Sequence, residues 1–297
     1  MAASLRFTPP GWRPACYLRP RSLSPNDRAS ASLDAPSFSS GGCSVASDAL
    51  SDVLKTVRLT GATFFDVIAR APWCAEQPAR ELVLPKVLPG AEHLISYHVV
   101  TEGECYASLI GGEPVHVTAG DVVVFTKGDA HVMSSAPGMR AQPMTPEQLD
   151  TVTSGPLPFF QDVYNDGGAN RPPTVKLVCG FLACDAQPFN PLLQHLPPII
   201  KTGPADSGGP SWLADFFRLA QLEASAKRAG GVSMLARLSE LMFIEVVRRY
   251  LDKMPAGQTG WLAGLRDPFV GKALSRLHAR PAHNWTIEEL EIGRAHV

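Results

Sequence analysis

At 297 residues the chain is longer than one ordinary domain, and its 45% apolar and 19% charged residues belong to a core-forming polymer. That composition excludes a coiled-coil rod, a collagen-like repeat and global disorder. With 27 Lys and Arg against 28 Asp and Glu, the net charge is -1, so any contact with nucleic acid must come from a local patch.

No run approaches the ~18 consecutive apolar residues of a membrane span, so a cytoplasmic protein with no membrane partner is expected. The six cysteines (Cys16, Cys43, Cys74, Cys105, Cys179 and Cys184) are dispersed without a CxxC pair. Reduced, buried thiols are expected rather than a zinc module or a disulfide scaffold.

Residues 1–46 are rich in Arg, Ser and Pro and hold only Asp27 and Asp34 as acids. They read as a disordered or spurious leader, with the true start near Val45, because this texture cannot bury a core. Residues 47–190 read as a ligand-sensing β-barrel. Asp48–Thr56 forms a short helix with Leu50, Val53, Leu54 and Val57 on one side. Strand-length runs follow at 81–84, 94–100, 104–110, 115–117, 121–125, 131–133 and 174–184, separated by turns such as Gly111-Gly112 and Gly120-Asp121. Residues 143–173 read as a long irregular loop.

Residues 191–255 read as a helical hairpin. Ser211 caps a helix to about Ala229, Gly230-Gly231 breaks it, and a second helix runs to about Leu251. The stripe Leu235, Leu238, Met242 and Val246 must bury itself, and dimerisation through the hairpin is expected. Arg237, Arg248 and Arg249 are expected outside, on a solvated face. Residues 256–264 read as a linker. Asp267-Pro268 then starts a helix to Ala279 with Phe269, Val270, Ala273, Leu274 and Leu277 as its buried face. Pro281 forbids its continuation. Thr286 with Glu289 forms a capping box, so another helix opens there.

From Leu265 the run Leu-Arg-Asp-Pro-Phe-Val-Gly-Lys-Ala-Leu, then His278-Ala279-Arg280-Pro281 and Trp285-Thr286-Ile287-Glu288-Glu289-Leu290, resembles the opening of an AraC-family DNA-binding domain. Upstream, Ala71-Pro72-Trp73, Gly120-Asp121-Val122-Val123-Val124-Phe125, Gly128-Asp129-Ala130-His131 and Leu192-Leu193-Gln194-His195-Leu196-Pro197-Pro198 resemble the cupin-type sensor fused to many such regulators. The resemblance implies an α+β chain, mainly β in its N-terminal part: a cupin-like barrel, a helical dimerisation hairpin and the first helices of a helix-turn-helix domain. It also implies a regulator that binds DNA, a small-molecule effector and a second copy of itself.

Trp285, Thr286, Glu289 and Leu290 are the DNA-binding-domain residues that match. After Leu290 the family pattern would continue into a recognition helix. Here Ile292-Gly293-Arg294-Ala295-His296-Val297 is what common sequencing-adapter DNA encodes, and residues 265–297 are therefore expected to be an incomplete domain. Base reading belongs to the second helix of the motif, so weak or undetectable DNA binding at physiological salt is expected in a mobility-shift assay.

His98 and His131 are the residues best placed to meet inside the barrel, on different strands, with Tyr97 and Tyr106 as further lining residues. The family's metal pattern requires a His-x-His pair, whose first His is missing at Tyr97-His98, so no metal and no cofactor are expected. Pocket lining and satisfied structural histidines remain open as readings of this pair. No nucleophile elbow, P-loop or GxGxxG turn occurs, and no catalytic residue is expected. A stand-alone cupin metalloenzyme and a ligand-free dimerisation module are the alternatives.

Overall fold

The computed structural model describes residues 49–56, 59–154, 159–165, 168–184, 191–204, 212–226, 228–255 and 259–290. The leader 1–46, Val57, the Ser211 cap and the tail from 291 lie outside them. The described strands are β1 (Leu59–Arg70), β2 (Cys74–Gln77), β3 (His93–Leu109), β4 (Val115–Thr118), β5 (Val122–Phe125), β6 (His131–Ser134), β7 (Phe159–Tyr164), β8 (Val175–Cys184) and β9 (Ile199–Thr202).

Strand β3 is long enough to serve two sheets. Its first half pairs with β8 on one side and β5 on the other, giving the order β7-β1-β8-β3-β5-β9. Its second half pairs with β4 and β6, giving β4-β3-β6-β2. All pairs are antiparallel except β1 with β7. The strand passes from one sheet to the other at Gly103, whose φ is +79° and where a Cβ would lie 2.1 Å from the Thr174 carbonyl oxygen. Only glycine fits that crossing.

The described helices are α1 (Ala49–Thr56), α2 (Arg80–Val87), α3 (Pro146–Val152), α4 (Pro191–His195), α5 (Trp212–Ala226), α6 (Gly231–Lys253), α7 (Trp261–Arg266), α8 (Pro268–Ala279) and α9 (Ile287–Leu290). Two cores result. Between the sheets, Phe65, Trp73, Val123, Phe125, Leu177 and Phe181 fill the barrel. On the other face of the first sheet, Phe64, Ile95, Val122, Val124 and Leu182 meet α1, α4, α5, α6 and α7. That sheet is covered on both sides, so all four residues of β5 are buried and β8 is buried almost throughout.

The stripe Leu235, Leu238, Met242 and Val246 is spent on this contact within the chain, each residue being buried against the barrel. Other sequence expectations need correction. Residues 81–84 belong to helix α2, with Glu81 in its first turn; three apolar residues cannot by themselves distinguish strand from helix. The stretch 143–173 holds α3, with a Thr145–Gln148 capping box, and strand β7. Residues 199–202, read as part of a helical region, form β9 on the edge of β5. Helix α7 occupies part of the 256–264 linker, with Leu262 and Leu265 buried.

Arg249 is buried, at 8% exposure, rather than outside. In α8 the Asp267 side chain accepts hydrogen bonds from the Phe269 and Val270 amides, both at 2.8 Å, as an N-cap should. Yet Phe269 and Val270 are about half exposed. The helix meets the rest of the chain one residue further round, through buried Gly271 and half-buried Leu274.

The Gly120-Asp121 turn behaves as its chemistry requires. Gly120 has φ +91°, and the Asp121 carboxylate accepts from Thr118 N at 2.9 Å and Thr118 Oγ1 at 3.0 Å, with Lys201 Nζ at 3.0 Å. Asp121→Ala is expected to lower stability by about 2–3 kcal/mol, because a buried turn amide loses its charged acceptor. The midpoint of urea unfolding at unchanged slope measures it; a loss near zero would refute the assigned role.

Candidate ligand site

Register places the barrel's polar groups. His98 on β3 lies directly opposite Cys179 on β8, and His131 opens β6 opposite Gln77 on β2. The structure brings the two histidines together, with His98 Nε2 2.8 Å from His131 Nε2. His98 Nδ1 lies 2.8 Å from Cys179 Sγ, and His131 Nδ1 lies 3.0 Å from the Asp129 carbonyl oxygen. His131 also stacks on Phe125, with centroids 3.7 Å apart.

This chain of contacts fixes its own protons. The Asp129 carbonyl can only accept, so His131 Nδ1 donates and its Nε2 accepts. His98 Nε2 therefore donates, its Nδ1 accepts, and the Cys179 thiol donates to it. Burial favours the same neutral forms. It lowers His131 to about 4 and His98 well below the usual histidine value, the latter helped by His131, and it raises the Cys179 thiol well above its usual value. Both imidazoles are thus committed to each other, to a thiol and to a carbonyl. Among the described residues no group of three or more His, Cys, Asp or Glu could hold a metal ion.

Beside His98 and Cys179 lies a cavity of about 60 Å³, walled chiefly by Phe65, Trp73, Met133, Leu177 and Phe181. A water needs about 10–15 Å³ by this kind of measure, so the space admits several waters or part of a small organic molecule. Ala75, Glu76, Met144, Gln161 and Val163 border both this cavity and a broad outer cleft of about 900 Å³, which also touches Arg140 and the half-exposed Phe160 and Tyr164. The cavity therefore opens outward between β2 and β7. Two of the residues that border it, Trp73 and Gln77, each hold a buried side-chain nitrogen, Nε1 and Nε2, with no hydrogen-bond partner among the described residues.

Not every residue singled out from the sequence is found at this cavity. His98 lines it, whereas His131 sits behind His98. Tyr97, next to His98 in a strand, points to the opposite face of the sheet and sits 2.8 Å from Ser239 Oγ of α6. Ser239 donates to the Leu235 carbonyl, so the Tyr97 hydroxyl is the donor in that bond. Tyr106 is turned away from the barrel interior, its ring 5.0 Å from His116. Neither tyrosine lines the cavity: pleat alternation is the reason for Tyr97, and the register shift between Val100 and Glu102 is the reason for Tyr106. Trp73 and Gln77 were missed, although Trp73, Ala75 and Gln77 share one face of an extended segment by the same alternation.

In the C-terminal segment Trp285 Nε1 donates to the Arg280 carbonyl at 3.1 Å, and the Arg280 guanidinium lies 4.9 Å above its ring. Thr286 and Glu289 exchange the two bonds of a capping box, at 2.9 and 3.3 Å. Leu290, half-buried, closes the single turn of α9. These residues build the corner between α8 and α9.

A two-sheet barrel sharing one long strand, with helices over one sheet and a cavity between the two, defines a cavity-bearing β-barrel architecture. A family model described as Cupin matches residues 48–252, and the chain belongs to that cupin family. It is 27% identical over 246 residues to an AraC-like transcription regulator of Streptomyces antibioticus, covering 82% of this chain and 73% of that protein. The HTH-type transcriptional regulator AlkR of Acinetobacter baylyi is 25% identical over 247 residues, covering 82% and 74%. Among solved structures, unsaturated-fatty-acid-bound ToxT of Vibrio cholerae aligns with a TM-score of 0.32 and 10% identity, covering 77% of this chain and 66% of that one. The AraC-type resemblance read from the residues is borne out by the two regulators. No helix among the described residues is long and apolar enough to cross a membrane.

Proposed function

We propose that the chain is a ligand-responsive transcription regulator of the AraC type, working in the cytoplasm. Its barrel cavity takes the effector, and the segment from Leu265 leads into a DNA-binding domain. The observation that carries the reading is the cavity with two unpaired buried donors, in a chain whose C-terminal segment has the caps of a helix-turn-helix opening. A filled, satisfied barrel would have no use for those donors.

Signal transfer has a short route. His98 faces the cavity while Tyr97 grips Ser239 on α6, so a shift of β3 on binding is passed to the hairpin within one residue. The outward side of that hairpin exposes Leu219 and Leu222 of α5 and Met234 and Leu241 of α6, a surface suited to a second copy of the chain. Sedimentation is expected to give a dimer at micromolar concentration that Leu222→Glu with Leu241→Glu turns into a monomer; an unaltered sedimentation coefficient would reject that surface.

The functional test is transcriptional. Cells with and without the gene are expected to differ in transcript level at a small set of promoters. Complementation with Ala75→Leu, which narrows the cavity between Trp73 and Gln77, is expected to restore the protein and to lose the response to effector. Identical profiles with and without the gene would overturn the reading.

A further inference from the structure

We infer that the barrel cavity is built for an uncharged, largely apolar molecule carrying one exposed acceptor oxygen, as in a ketone, ester or amide, which Trp73 Nε1 binds. The inference rests on the barrel being the effector site and goes further by naming the ligand's chemistry.

Trp73 is 2% exposed, and its indole N–H is left without a partner among the described residues. Such a group costs stability unless something accepts from it. An indole can only donate, so the missing partner is an acceptor. Gln77, four residues on and on the same face, leaves its amide nitrogen equally unpaired. Both border one cavity whose remaining wall is mostly Phe65, Met133, Leu177 and Phe181. Two donors set in an apolar wall describe a carbonyl-like oxygen on a hydrocarbon body.

Charge decides against an anion. The ionisable groups bordering the cavity are Glu76, His98 and Cys179, and no Lys or Arg is among its described lining residues. His98 is held neutral by burial and by His131, and Cys179 is held as the thiol. A carboxylate placed at Trp73 would be stripped of water, would find no cation, and would face Glu76. Arg140 borders only the outer cleft, so an acid reaching it would turn its hydrocarbon end towards Trp73 and leave the indole unpaired.

Three probes of nearly one shape separate these cases: acetophenone, with a neutral acceptor, ethylbenzene, with none, and benzoate, with a charge. Equilibrium dialysis against the full chain is expected to show acetophenone bound about five- to tenfold more tightly than ethylbenzene, the worth of one net hydrogen bond. Benzoate is expected to bind least. The Trp73 indole N–H resonance should move downfield with acetophenone and stay near its place with ethylbenzene. Trp73→Phe should erase the preference while leaving ethylbenzene affinity unchanged; if that variant does not fold, the indole resonance of the native chain decides.

Benzoate binding tightest, or equal affinities for acetophenone and ethylbenzene, would overturn the ligand class and leave the barrel site standing. Failure of all three to bind, with Ala75→Leu as responsive as the native protein in cells, would overturn the barrel reading and this inference with it.

Discussion

Acidification from pH 6.5 to about 4 is expected to cost the fold roughly 3 kcal/mol through His131 alone, because its pKa is 6.5 in a model peptide and about 4 when buried here. The sign follows from the neutral form being the folded one. Above pH 6.5 neither state binds the proton and the contribution is complete; below it the unfolded chain takes up the proton first, and stability falls until the folded value is reached. His98 acts in the same direction, its pKa lowered by burial and by His131. His131→Gln, which can still accept from His98 Nε2, isolates the effect. The loss of stability between pH 7 and 4.5, from urea midpoints, should be about 2–3 kcal/mol smaller in that variant than in the native chain. Parallel pH profiles would mean that His131 is not buried as a neutral ring.

The second large effect concerns α6. Arg249 Nε meets Glu245 Oε1 at 2.8 Å, and Arg249 Nη1 donates to the Gly203 carbonyl at 3.1 Å, tying the hairpin to the end of β9. Both side chains are about 90% buried. Arg249→Leu is expected to lose about 3 kcal/mol, since it leaves the largely buried Glu245 carboxylate with only the exposed Arg248 guanidinium, at 3.3 Å. Changing Glu245 to Met as well should return most of that loss, because the cost lies in the orphaned charge more than in the missing attraction. Arg248, whose side chain is 61% exposed, also touches Glu245, at 3.3 Å. Its replacement by Ala should cost less than ~1 kcal/mol, as at other exposed pairs. Equal losses at Arg248 and Arg249 would show that burial is not what matters.

Local signals carried the sequence reading a long way. The cap at Asp267, the box at Thr286 and Glu289, the Gly120-Asp121 turn, the break at Gly230 and the strands at 115–117, 131–133 and 174–184 are all set by near neighbours, so their residues can be read in isolation. In β1, Phe64 and Phe65 are both buried because helices cover one face of the sheet and the barrel interior lies under the other. Such a strand carries apolar residues on both faces, with burial alternating only from Phe65 onward, and it went unread. Strand β9 was lost to a helical region because its evidence is a partner, β5, some 75 residues earlier in the chain.

The site divides the same way. That His98 and His131 share an interior is what period-2 alternation in two strands implies, and the same alternation sets Tyr97 outside; Tyr106 has the parity of His98, and only the register shift between Val100 and Glu102 turns it out of the barrel. That the two rings bond each other, that Cys179 completes the chain, and that Trp73 and Gln77 keep unpaired donors at one cavity depend on how β2, β3, β6 and β8 are brought into register. A sequence states which groups can donate and accept. Which of them find each other, and which are left waiting for a ligand, is decided when the sheets close, because partners far apart in the chain are joined only by tertiary packing.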